Sequence, residues 1–243
     1  MKEEHFFYCP NIETGELPPS EAVHVLRVLR MKEGDELSLI DGVGGLYRAK
    51  ITDVGKFKCR YEVMYATEQE ALWCDSLHLA VAATKMLERI EWLAEKATEI
   101  GFDRLSFLDC CFSERKQLKR ERIERIVVAA AKQSHKARVP RVDDLQTFDS
   151  FIAEVPRAKH CFIAHCYDDA ELCPNGKPFL LDALEGTTGD VLVLVGPEGD
   201  FSKTEVEQSI HAGFVPVSLG HSRLRTETAG LVAVHLMNLA RRK

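Results

Sequence analysis

Hydrophobic and polar positions change their rhythm near residue 71. Before that point, short stretches such as DELSLI, GLYRAKI and KCRYEVMYA sit between turn signals, which predicts strands rather than helices. Between the first two lies DGVGG, Asp41 to Gly45, whose glycines suit a tight hairpin. It has no G-x-G-x-x-G spacing and no helical pattern follows it, so a phosphate-binding loop is the poorer reading. Residues 1–72 are therefore expected to form a small β-barrel or sandwich.

Residues 73–243 alternate strand and helix. LHLAVAAT, residues 77–84, reads as an apolar strand. LERIEWLAEKATEIG then spaces Leu87, Ile90, Leu93, Ala97 and Ile100 along one helical face, with Gly101 placed to end the helix as a left-handed residue. RLSFLDC predicts a second strand, followed by a helix whose apolar stripe is Ile123, Ile126, Val127, Ala130 and Ala131, stopped before Pro140. HCFIAHC, DVLVLV and FVPVSL supply further strands, and SKTEVEQSIHAG and LVAVHLMNLA supply helices. Such alternation predicts an α/β domain with a mostly parallel sheet.

Composition narrows the classes of function. No apolar run approaches the length that spans a bilayer, and MKEEHFFYCP lacks the basic start and apolar middle of a secretory signal. A cytoplasmic protein with no membrane partner is expected. The eight cysteines contain no C-x-x-C pair and sit mostly in apolar stretches, so they read as buried thiols. A metal site from His160, Cys161, His165, Cys166 and Cys173 is the sharper alternative; no metal is expected, because a strand over CFIAHC points Cys161 and Cys166 to opposite faces. The net charge of -6 argues against a protein that coats nucleic acid indiscriminately, yet residues 114–141 hold ten Lys or Arg against three Glu. That local excess can attract phosphate, where alternating signs would only solvate a helix.

Two loops gather the remaining chemistry. VGPEGDFS, from Val195, joins the strand DVLVLV to a helix whose start is marked by the capping pair Ser202 and Glu205. Gly196 and Gly199 allow a sharp turn, and Glu198 stands at its tip. LGHSRLRTETAG, from Leu219, leads from FVPVSL into the last helix; Thr226 or Thr228 can cap that helix, and Glu227 suits its positive end. Arg223 and Arg225 have no structural task visible from sequence. Ligands in open α/β sheets bind outside the carboxyl ends of strands, where such loops collect.

Together, VGPEGDFS and LGHSRLRTETAG resemble the paired signature of the RsmE family, S-adenosylmethionine-dependent methyltransferases that modify N3 of a uridine in 16S ribosomal RNA. HVLRVLR at 24–30 resembles the family's N-terminal signature in a PUA-like barrel, KATEIG at 96–101 its K-x-x-E-L-G helix end, and AKQSHKARVP at 131–140 its Q-S-x-R…P segment. The resemblance covers essentially the whole chain. It implies a PUA-like β-barrel domain over 1–72, and a SPOUT methyltransferase domain over 73–243 with a C-terminal trefoil knot and a homodimer formed across it.

The same resemblance implies S-adenosyl-L-methionine as cofactor, held by Gly196, Glu198, Gly199, Leu219, Gly220, Leu224, Arg225, Glu227, Thr228 and Ala229. RNA contacts are expected from His24, Arg27, Arg30, Lys119, Arg122, Gln133, Lys136 and Arg138, with 16S rRNA or the assembled small subunit as partner. Methylation at N3 requires loss of an imide proton, so negative charge grows on the flanking carbonyl oxygens and a guanidinium there would stabilise it. Arg225 is the leading candidate and Arg223 the second. Glu227, Glu198 and His165 could accept the proton, although each also suits a structural role. Three positions depart from the family pattern: Lys132 replaces an acidic residue, Lys136 an arginine, and Asp200 a glycine. Two rival readings stand beside this one, a methyltransferase of the same fold acting on another RNA site and a ribosome-assembly factor that binds RNA without catalysis.

Overall fold

The computed structural model describes residues 5–154, 158–167, 172–173 and 176–243; residues 1–4, part of the N-terminal segment weighed as a signal, lie outside them. Two compact units divide the chain. The first reaches Ala71 and takes in Val128–Val139, and the second holds Leu72–Val127 and Pro140–Lys243.

In the first unit, strands β1 (Phe6–Tyr8), β2 (Glu36–Ile40), β3 (Gly45–Val54) and β4 (Cys59–Glu68) make one sheet in that order. β1 runs parallel to β2, and the β2–β3 and β3–β4 pairs are antiparallel hairpins. A short helix α1 (Pro19–Val23) continues into a π-helical turn, His24–Val28. Phe7, Leu37, Leu39, Ala49, Ile51 and Val25 close over one another to form this unit's core. DGVGG is the β2–β3 turn: the Asp41 carboxylate accepts from the backbone N–H groups of Val43 and Gly45 at 2.8 and 2.9 Å. Gly44, at φ 119°, has a second reason to be glycine, because a Cβ there would meet the Arg138 guanidinium at 2.8 Å.

The second unit is a six-stranded sheet, every pair parallel, in the order β10 (Val215–Val217), β8 (His160–Ala164), β9 (Val191–Val195), β5 (Leu77–Ala82), β6 (Arg104–Asp109), β7 (Arg141–Thr147). Helices α2 (Leu87–Ile100) and α7 (Thr226–Ala240) pack on each other, and α7 also meets β5, β9 and α5 (Leu180–Leu184). Helix α4 (Phe148–Glu154) meets β6, β7 and α6 (Lys203–His211). Central strands β5 and β9 are buried along their whole length, which is why LHLAVA and VLVLV read as continuous apolar runs. Gly230 lets α7 close on α2 and β5: a Cβ there would lie 2.9 Å from Leu93. Helix α3 (Arg120–Gln133) carries the expected stripe, with Ile123, Val127, Ala130 and Ala131 buried.

Two local expectations are corrected. Gly101 has φ 121° and ψ 125°, outside the left-handed helical region; it is glycine because the Trp73 ring fills the space a Cβ would need. Nor are all the cysteines buried. Cys74, Cys111 and Cys166 are exposed, because each lies in a loop just outside a strand, and β8 stops at Ala164 before reaching Cys166. The strand argument that set Cys161 and Cys166 on opposite faces therefore does not apply. Among the described residues no three His, Cys, Asp or Glu side chains converge as metal ligands.

Candidate active site

The last residues of three neighbouring strands, Ala164 of β8, Val195 of β9 and Val217 of β10, line one end of a cavity of about 550 Å³. This is within the size range of small-molecule sites. The loops that leave those strands supply its walls, so the two motifs singled out in the sequence meet here. Gly196, Glu198, Leu219, Gly220, Arg223, Leu224, Arg225 and Ala229 all face the cavity. Gly199, Glu227 and Thr228 do not.

Backbone geometry explains how the loops hold their shape. After β9 the chain turns tightly, with the Asp200 N–H donating to the Pro197 carbonyl at 2.9 Å. Asp200 has φ 70°, a conformation glycine adopts freely and aspartate tolerates better than most residues. Its carboxylate accepts from Cys166 N–H and from its neighbour Phe201 N–H, both at 2.8 Å, so the residue that departs from the family glycine fastens the β9 loop to the β8 loop. Ser202 and Glu205 form the capping box read from the sequence. The Glu205 carboxylate also accepts from Cys111 N–H at 2.7 Å, which joins the β6 loop to the same corner.

The loop after β10 is tied down differently from expectation. Neither threonine caps α7: the cap position is Arg225, with no side-chain cap. The buried Thr226 hydroxyl donates instead to the Gly196 carbonyl at 3.1 Å, across to the β9 loop. Gly220, at φ 143°, lies in a region that favours glycine, and its N–H bonds the Ser218 hydroxyl. Arg223 and Arg225 are exposed, and among the described residues neither guanidinium has a hydrogen bond or ion pair.

Each of the three candidate proton acceptors has a partner, though one Glu227 carboxylate oxygen is buried without a hydrogen bond among the described residues. Glu198 accepts from Lys85 N–H at 3.1 Å. Glu227 is buried on α7, 3.6 Å from the Arg89 guanidinium. His165 lines the cavity, but its Nδ1 accepts from Tyr167 N–H at 3.2 Å, which commits the neutral ring's lone pair and leaves the proton on Nε2, 3.7 Å from Cys173 Sγ. Sequence reasoning missed Cys166, Lys177, Asp200 and His221 in the lining. Lys177 donates to the carbonyls of His165 and Tyr167 at 2.8 and 2.7 Å. Burial, followed by the Asp200 carboxylate, pushes the Cys166 thiol up, against the opposing pull of Arg223 and Lys177.

A family model described as an RNA methyltransferase domain matches residues 73–238, and one described as an RNA methyltransferase PUA domain matches residues 17–60. The chain belongs to the RsmE family of RNA methyltransferases. It is 30% identical to the Ribosomal RNA small subunit methyltransferase E of Mycobacterium bovis, over 88% of this chain and 82% of that protein. A probable rRNA-methyltransferase from Porphyromonas gingivalis has a crystal structure that superposes with a TM-score of 0.86 at 43% identity, covering 98% of both chains. A Neisseria gonorrhoeae Ribosomal RNA small subunit methyltransferase E, solved bound to S-adenosyl methionine, superposes with a TM-score of 0.83 at 26% identity over 98% of both chains.

The residues that the RsmE resemblance marked for RNA are distributed over both units. In the first, Arg27, Arg30, Gln133 and Arg138 are exposed, and His24 is half-buried with its ring edge-on to Phe7. Arg138 pairs with Glu68 at 3.2 Å. Lys136 is corrected: it is only 6% exposed and has partners within the fold, so it is not an accessible cation. In the second unit Lys119 is exposed and Arg122 pairs with Glu91. Lys132, the other departure from the RsmE pattern, sits 2.6 Å from the buried Glu21 carboxylate, so a lysine there neutralises a charge that an acidic residue would double.

Proposed function

We propose that this chain transfers a methyl group from S-adenosyl-L-methionine to N3 of a uridine in 16S ribosomal RNA of the small ribosomal subunit, acting in the cytoplasm. What carries the reading is the single cavity into which both family motifs converge at the carboxyl ends of β8, β9 and β10. The Mycobacterium relative's name and the Neisseria structure with its bound cofactor support the substrate class and the methyl donor.

The lining fits that donor. Gly220, with no side chain, lets a ligand approach the backbone closely, and Leu219 and Leu224 offer apolar flanks for a flat ring. Gly196, Glu198, Arg225 and Ala229 complete the contact set. When bound, S-adenosylmethionine supplies an electrophilic methyl group on a sulfonium centre. Arg225 stabilises the charge that grows on the uracil carbonyl oxygens as the imide proton leaves, with Arg223 as the second candidate. Glu198, Glu227 and His165 remain the candidate acceptors of that proton.

The trefoil knot and the homodimer belong to the same proposal. β10 occupies the sheet edge, yet the next element, α7, packs on β5 and β9 in its middle, a path that suits a threaded chain. Leu239 on α7 is exposed, and Leu231, Val232 and Leu236 are only partly covered, a surface a second copy would bury. Sedimentation at micromolar concentration should give a dimer mass; a monomer would remove the pairing. No helix among the described residues is long and apolar enough to cross a membrane.

The deciding experiment gives purified protein and methyl-labelled S-adenosylmethionine to small subunits from cells lacking the activity, then maps the modified nucleotide by mass spectrometry. Label at a uridine N3 of 16S rRNA is expected. No label would remove the enzyme reading, and label elsewhere would move the site.

A further inference from the structure

We propose that the tip of the β3–β4 hairpin, centred on Phe57, is a stacking platform for an unpaired RNA base; the proposal rests on the reading that RNA is the substrate. The hairpin closes over Gly55 to Lys58, with Gly55 N–H donating to the Lys58 carbonyl at 2.8 Å. Phe57 stands on this turn 50% exposed and takes no part in the first unit's core. Half in water between two lysines, the ring packs against cations and not in the core.

Its neighbours point to a ligand with both a flat face and negative charge. The Arg27 guanidinium lies 4.9 Å from the ring centroid and the Lys56 ammonium 5.7 Å from it. Arg27 comes from the π-helical turn His24–Val28, so two separate segments converge on one ring. Glu16 is drawn to other cations of this face, 3.9 Å from Lys58 and 3.6 Å from Arg60. Among the described residues neither Arg27 nor Lys56 forms an ion pair, so both cations remain available to phosphate. A phenyl ring with an exposed guanidinium over it matches a nucleotide whose base is unstacked, since a base can stack on an aromatic or a guanidinium plane and every nucleotide has a phosphate. Paired RNA hides its base faces inside the helix, so single-stranded RNA is the occupant.

Binding is measured by fluorescence anisotropy on the full chain, with a short labelled single-stranded RNA, the same sequence as a duplex, and polyglutamate as an acidic polymer without bases. Phe57→Ala should weaken single-strand binding roughly tenfold, the scale of losing one stacked base. The salt dependence should not change, because no charge is removed. Duplex and polyglutamate binding should stay as in the unsubstituted protein. Phe57→Trp should keep the affinity and show fluorescence quenching by the single strand beyond that of Trp73 and Trp92. Unchanged single-strand affinity for Phe57→Ala overturns the platform, as does an equal loss for single strand, duplex and polyglutamate, which would mark a general acidic-polymer contact. Methyl transfer by the unsubstituted protein is assayed alongside: its absence removes the RNA reading itself, whereas transfer together with an inert Phe57→Ala removes only the platform.

Discussion

Arg225 carries the sharpest prediction at the scale of single residues. Its guanidinium is exposed at the cavity and has no ion pair among the described residues, so removing it disturbs no packing. Arg225→Ala should lower the single-turnover methylation rate by about 10²–10³, the effect of deleting one preorganised donor to a developing oxyanion. Cofactor affinity by calorimetry should move far less. Arg225→Lys should recover only part of the rate, because a point charge cannot span the planar fork of a guanidinium. Loss of cofactor affinity in proportion to the rate would transfer the catalytic assignment to Arg223. The sequence showed no structural task for either arginine, and among the described residues neither guanidinium has an ion pair. Asp200 was less legible: its side chain fastens Cys166, far away in the chain, and only the folded loops show that pairing. Lys136 misled for the converse reason, because its charge suggested solvent and the fold buries it.

Elements with a long apolar rhythm were readable, and their ends were not always so. The α2 and α3 stripes and the Ser202–Glu205 box follow from local spacing, and the structure has them. Thr226 looked like a cap because threonine often is one, yet its hydroxyl serves a long-range bond to Gly196. Helix α3 also holds an ion pair to α1. Its Lys132 neutralises Glu21, a carboxylate only 7% exposed on α1 whose second oxygen has no hydrogen bond among the described residues. Lys132→Met should strand that charge and destabilise the protein by about 3 kcal/mol, as removal of one partner from a buried pair does. Combining it with Glu21→Gln should restore most of the loss, because an amide is far cheaper to bury than an unpaired carboxylate. Urea unfolding of the single and double variants measures both; a double variant no more stable than Lys132→Met would show that the ion pair is not what the lysine supplies.

For the whole molecule, alternation of strand and helix announced a parallel sheet, but the strand order that brings β8, β9 and β10 together rests on contacts between residues far apart in the chain, which local spacing does not encode. The same long-range order builds a polar chain across the other half of the sheet. His78 of β5 lies 2.7 Å from the Ser106 hydroxyl of β6, which donates to Asp143 of β7 at 2.5 Å. Ser106 has one proton and gives it to Asp143, so it accepts from His78 Nε2–H. Burial, and then the Arg104 cation, lower the His78 pKa from 6.5 to about 3. Burial raises the Asp143 carboxyl, but bonds from Arg104 and Ser106 and the nearby cations outweigh it and leave it below its ordinary range. The sign follows. Above pH 6.5 the histidine is neutral whether folded or not; as pH falls toward 3 the unfolded chain takes up a proton that the folded one refuses, so stability is lost, by about 1.4 kcal/mol per pH unit at most. Asp143 adds a loss of the same sign only at lower pH, once unfolded carboxyls begin to protonate. His78→Leu should therefore flatten the wild-type decline between about pH 6.5 and 4.5 while leaving the steeper fall below it. Urea midpoints taken across that range, at unchanged m-value, test this, and an identical decline in the leucine variant would assign the acid sensitivity to other groups.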